Sequence, residues 1–156
     1  MKRLLAAPLL AALLALPDAV TAPTADAAPL CDKLGFAGLL AKCNRATLPT
    51  ITLGAGKPLL EQEGPLVLES GAYYKLDITA DGSQELALVG PGFFRAIWIN
   101  EVVINDLEIR PLGLDSFEFD DEGTIHLSFI AIKPGRYQLK IPGSKGDTQR
   151  VQIQIK

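Results

Sequence analysis

The sequence has 156 residues, enough for one domain with a real core and too few to make a second domain a natural reading. Fifteen Lys and Arg face eighteen Asp and Glu, and this mild acidity gives the chain no electrostatic reason to seek nucleic acid or an anionic membrane surface. A surplus of Ala and Leu is concentrated in the first thirty residues, which points to a targeting segment there.

Met1-Lys2-Arg3 supplies a positive start, and Leu4 to Leu16 is an apolar run interrupted only by Pro8. That is the pattern of a secretory signal, too short for the ~20 apolar residues of a spanning helix. Pro17 and Asp18 break the run, and Ala25-Asp26-Ala27 offers small residues at the positions a signal peptidase reads, so the predicted cut follows Ala27. A cut after Ala22 would leave Pro23 in the next position, which is sterically poor. Lipidation at Cys31 is disfavoured by the bulky Leu30 before it. Loss of residues 1–27 removes Lys2, Arg3, Asp18 and Asp26, leaving 13 basic against 16 acidic residues, a net charge of −3. The expected location is periplasmic or secreted.

Residues 28–47 are the one region with a helical pattern after the signal. Asp32 can cap it, Leu34, Phe36, Leu39 and Leu40 sketch an apolar face, and Gly35 and Gly38 weaken it. Cys31 and Cys43 bracket this segment, and an oxidising compartment makes a disulfide the default for such a pair. One continuous helix would hold them about 18 Å apart, so a bridge requires a bend, expected between Gly35 and Gly38. No His or third Cys lies near enough to make the pair a metal site.

From residue 48 the hydrophobic period changes to two, with Gly, Pro and Asp-Gly punctuation. Ile51 and Leu53 alternate, as do Leu66 and Leu68. Over 72–79, Tyr74, Leu76 and Ile78 share one face, with Tyr73, Lys75 and Asp77 on the other. Asp81-Gly82 predicts a hairpin to a return strand over 84–89. After Gly90-Pro91-Gly92, residues 93–99 are apolar on both faces except Arg95, which suggests a central strand. Asn100 and Glu101 break it, and strands over 102–104 and 107–110 follow around an Asn105-Asp106 turn. Phe117 and Phe119 face one way, and a turn at Asp120-Asp121-Glu122-Gly123 leads to Ile125, Leu127 and Phe129 on the core face, with Thr124, His126 and Ser128 opposite. Lys133-Pro134-Gly135 turns the chain into Tyr137, Leu139 and Ile141. Val151, Ile153 and Ile155 close it, with Gln152, Gln154 and Lys156 as a polar outer face suited to a sheet edge. Eight or nine short strands predict an all-β Greek-key sandwich over residues 48–156, behind a short helical segment.

The turn Pro134-Gly135, the strand opened by Arg136-Tyr137, the loop after Gly143 and the terminal strand together resemble the end of a cupredoxin domain. The segments 117–123 and 125–129 fit the paired strands that precede it in that family. The resemblance covers roughly residues 48–156 and implies a type 1 copper site built from a Cys and a His in the last loop, an earlier His and an axial Met. None of these carries over. Residues 137–150 contain no Cys, His or Met, and the ligand positions read Leu139-Lys140-Ile141-Pro142-Gly143. The expectation is a cupredoxin-like scaffold with no cofactor.

Other candidate sites are weak. His126 with the acidic run Asp115, Glu118, Asp120, Asp121 and Glu122 reads better as a solvated strand residue beside a charged turn than as a cation site. Gly90-Pro91-Gly92 precedes a strand rather than a helix, so it is no phosphate cradle. Ser70, Ser83, Ser116, Ser128 and Ser144 lie in no nucleophile context, and no catalytic residues are expected. Phe93, Phe94, Arg95 and Trp98 form a candidate partner surface, because aromatic and Arg side chains dominate interfaces. The functional expectation is a non-enzymatic exported accessory protein that contacts another envelope protein, with weak metal handling as the alternative.

Overall fold

A computed structural model describes residues 31–156. The predicted signal peptide over 1–27, and the start of the helical segment at 28–30, lie outside the described residues. Two sheets face each other across one core. The first contains β1 (Arg45–Thr47), β2 (Ile51–Leu53), β4 (Tyr73–Ala80), β6 (Ile97–Ile104), β7 (Leu107–Ile109) and β9 (Gly123–Ala131). The second contains β3 (Leu66–Leu68), β5 (Leu86–Val89), β8 (Ser116–Phe119), β10 (Gly135–Lys140) and β11 (Arg150–Ile155). We call them the front and back sheets. The front order is β1-β4-β9-β6-β7, with β2 continuing the parallel pairing of β1 further along β4, and the back order is β3-β11-β10-β5-β8.

Period-two alternation places the core side chains as expected. Tyr74, Leu76 and Ile78 are buried from β4, Ile125, Leu127 and Phe129 from β9, and Leu139, Val151, Ile153 and Ile155 from the back sheet. Each such burial contributes roughly 1.5–3 kcal/mol before chain entropy is set against it.

Strand extent and pairing differ from the sequence reading at five points. Asp81-Gly82 is not a hairpin turn: β4 belongs to the front sheet and β5 to the back one. The turn instead clasps the segment after β2, through the Lys57 Nζ–Asp81 Oδ2 ion pair at 2.7 Å and the Ala55 N–H donated to Ser83 Oγ. The strands 116–119 and 123–131 likewise do not pair with each other, because the chain changes sheet between them. β11 is not an edge strand, since it lies between β3 and β10, and β3 pairs with it in parallel. Residues 93–99 do not form one strand. Pro91–Phe94 is a single helical turn, α1, with Pro91 at its start, and β6 begins only at Ile97. Asn100 does not break β6 but sits in a register shift between Ile99 and Glu101.

The same helical turn corrects the aromatic surface. Phe93 and Phe94 are both buried, as a plug at the end of the sandwich. Phe93 meets Phe129 edge-on with centroids 5.5 Å apart, and Phe94 meets Phe117 edge-on at 5.7 Å, so α1 stitches the two sheets together. A side-chain period of two cannot bury adjacent residues on one side, whereas one helical turn between sheets can.

Ahead of the sandwich, the expected helix is reduced to 3-10 segments over Gly35–Leu40 and Lys42–Asn44, and β1 starts at Arg45. Asp32 does not cap the first, and Phe36, Leu39 and Leu40 are exposed rather than packed on an apolar face. The chain bends at Gly38, whose φ is 57°, and the Cys31–Cys43 disulfide closes the loop with Cα atoms 5.7 Å apart. Asn44 anchors this cap by donating from Nδ2 to the Leu39 and Gly71 carbonyls, while Arg45 donates to the Leu40 carbonyl and lies 4.6 Å from the Tyr73 ring centre.

Candidate functional site

The chemistry-bearing side chains that the fold brings together stand on the outer face of the front sheet. Even-numbered positions of β9 point outward, and the register sets His126 beside Asp77 on β4 and Val103 on β6, with Ser128 beside Lys75 and Glu101. These residues line a shallow groove of about 350 Å³. His126 Nδ1 lies 2.8 Å from Asp77 Oδ1. An ionised carboxylate only accepts, so Nδ1 is the donor and Nε2 is left toward solvent. The partner of His126 is therefore Asp77, across the strand, and not a carboxylate of the acidic turn. Asn100, at the register shift, donates from Nδ2 to Ser128 Oγ at 3.1 Å and to the Tyr73 hydroxyl at 3.3 Å, which holds the groove floor in place.

Toward the other end of that face the surface becomes apolar. Tyr73, Ile130 and Trp98 are register partners across three strands, and Tyr73 and Ile130 are buried while Trp98 is 48% exposed. Ile132, in step with Ile130, is also exposed, and its N–H donates to the Ala96 carbonyl beside Trp98. Arg95, at the end of α1, is exposed next to them. Of the four residues singled out as a partner surface, Arg95 and Trp98 are on the surface, and Phe93 and Phe94 are core. The signal that separates them is Gly90-Pro91-Gly92, which starts a helical turn.

A larger depression of about 750 Å³ runs along Pro49 to Gln62. It has no His or Cys, and its Lys57 is committed to Asp81. Its size alone therefore gives it no chemistry, and the groove on the front sheet is the better candidate.

The pole where a type 1 copper would sit does not fit the metal. Such a centre needs a thiolate and two imidazoles. Here both cysteines are joined in the cap, the chain has a single His, and Leu139 and Ile141 are buried at the expected ligand positions. Among the described residues, no group of three or more His, Cys, Asp and Glu could hold a metal ion. No helix among them is long and apolar enough to cross a membrane.

No protein-family model and no curated protein matches the sequence. Solved structures do show similarity. A multicopper oxidase from Pseudomonas thermotolerans matches with a TM-score of 0.52 at 15% identity, over 72% of this chain and 30% of that one. A multicopper oxidase from Pediococcus acidilactici gives 0.49 at 11% identity, over 72% and 26%. The chain thus spans less than a third of the length of these oxidases. At such identity the first likeness shows the fold alone, and that fold is cupredoxin-like.

Proposed function

We propose that this cupredoxin-like chain is an exported, non-enzymatic accessory protein that meets an envelope protein through the apolar end of its front sheet. The observation that carries the proposal is Trp98, half exposed beside Ile132 and Arg95 while its own register partners across the sheet, Ile130 and Tyr73, are buried. A large aromatic with an adjacent apolar residue and a guanidinium is the composition of an interface hot spot, in which one anchor often accounts for 2 kcal/mol or more, roughly thirtyfold in affinity. The missing copper donors support a role through contact rather than electron transfer. The apolar sequence before Ala27 supports export.

A photo-crosslinking amino acid at position 132, in the chain expressed with its leader, tests this. The expected result is one discrete adduct in the envelope fraction that is at least tenfold weaker in a Trp98→Ala background. An adduct unaffected by Trp98→Ala, or none from this face, overturns it.

The His126–Asp77 pair favours a second reading, weak cation handling in the groove. Its carboxylate holds the imidazole in one tautomer, with Nε2 available as a ligand. Titration calorimetry with Cu(II) and Zn(II) should then show binding that His126→Ala abolishes, and affinity retained in that variant removes the reading.

A further inference from the structure

We propose that two copies of this chain associate by antiparallel pairing of their β7 strands, with Ile109 on the two-fold axis. β7 ends the front sheet, and among the described residues its backbone pairs only with β6. Its protection is limited to its three-residue length, the charge of Glu108 and Pro111 two positions beyond its end; the strand itself carries no Lys, Pro or bulge. Leu107 is 63% exposed, Ile109 is 40% exposed, and Leu112 just beyond is also exposed. Of the back sheet's two end strands, β3 and β8, the β8 edge is different. β8 is bordered by Asp115, Asp120 and Asp121 and carries Glu118, so a second copy would be repelled there.

Hydrogen-bond phase and charge select one register. The hairpin turns on Asn105 and Asp106, with φ of 47° and 66°, the mirror-image two-residue turn that suits twisted strands. Its flanking pair, Ile104 and Leu107, exchanges hydrogen bonds, so bonding to β6 falls on Leu107 and Ile109. By alternation the N–H and C=O of Glu108 point away from β6 to the free edge, and pairing that extends β7 by one residue gives Arg110 the same phase. Pro111, which lacks a donor, falls on the opposite phase.

Pairing must therefore join residues of the Glu108 and Arg110 phase. Centring on Glu108 sets two carboxylates face to face, and centring on Arg110 sets two guanidinium groups face to face. Centring on Ile109 places Glu108 opposite Arg110 of the second copy, twice over by symmetry. Within one chain Arg110 already lies 3.3 Å from Glu108 and 3.5 Å from Glu101, on a side chain 64% exposed and so free to be shared. The apolar side chains of Leu107, Ile109 and Pro111 gather on the other face of the joined strands. The charge pattern of β7 and its flank is thus self-complementary, which is why the occupant is a second copy and not an unrelated strand.

The test is sedimentation equilibrium of the chain from residue 28 at concentrations up to about 1 mM, with charge reversals. The expected result is a monomer–dimer equilibrium weakened about tenfold or more by Glu108→Arg and by Arg110→Glu, and restored when both are combined, because the swap re-forms both cross-strand pairs. Ile109→Cys should give an intermolecular disulfide on mild oxidation, since the central pair is of the close, non-hydrogen-bonded kind with Cα atoms about 4.5 Å apart. Leu107→Cys should not. Circular dichroism melting of each variant separates loss of pairing from loss of fold. A monomer throughout the concentration range overturns the proposal, as does a dimer indifferent to the single reversals.

Discussion

Tyr137, Gly135 and Asp81 show how single residues set the local geometry of this sandwich. Tyr137 folds its ring back over Gly135 and donates its hydroxyl to the Lys133 carbonyl at 2.9 Å, which fixes the turn into β10. Gly135 has φ 156°, and a Cβ there would stand 2.8 Å from that hydroxyl, so both the backbone angle and the close ring require glycine. Asp81 fixes the opposite side of the molecule. The Lys57 ammonium, then the Ser83 hydroxyl and N–H, hold its carboxyl well below the usual carboxylate range. A folded value below the unfolded one, about 4, means that this contribution is complete above the unfolded value and is lost as pH falls through the folded one. Asp81→Asn should therefore lower the urea midpoint at neutral pH, with the gap from the parent narrowing progressively below about pH 4. A gap that stays constant down to pH 2 would show that Asp81 acts through packing alone.

At the scale of elements, the cap over residues 31–44 and the plug α1 have opposite characters. α1 is held by aromatic contact on both sides, whereas the cap carries exposed Phe36, Leu39 and Leu40 and is tied down by Asn44, Arg45 and the disulfide. A crosslink of this loop size stabilises by roughly 2–3 kcal/mol, chiefly by restricting the unfolded chain. Replacing both Cys31 and Cys43 by Ser should lower stability by about that amount and make Phe36 to Leu40 the first site of proteolytic nicking. An unchanged midpoint together with rapid nicking would mean that the cap opens independently of the sandwich.

At the scale of the whole molecule, legibility follows range. Alternation is a local signal, so the inward Tyr74, Leu76 and Ile78 and the outward His126 could be read from the sequence. Sheet membership is not local. Asp81-Gly82 has the residues of a hairpin turn and joins different sheets, because turn chemistry fixes chain reversal and not the partner. The polar face of β11 reads as an edge, yet it covers an inner strand whose outward side meets solvent. The groove pairs Asp77 with His126 across 49 positions, a juxtaposition that only the β4–β9 register creates. The lack of copper donors needed no structure, since it follows from the count of His and Cys.

The placement of β11 has a consequence for how the chain can be made. β3 is complete at residue 68, but its partner in the back sheet is β11, which begins at Arg150. While the polypeptide is synthesised from its N-terminus, the exposed edge of β3 must wait for more than eighty further residues, and β10 waits with it. Closure of the sandwich thus waits until β11 has been made, and the loop-closure entropy of that late parallel pairing places it among the slower steps of folding.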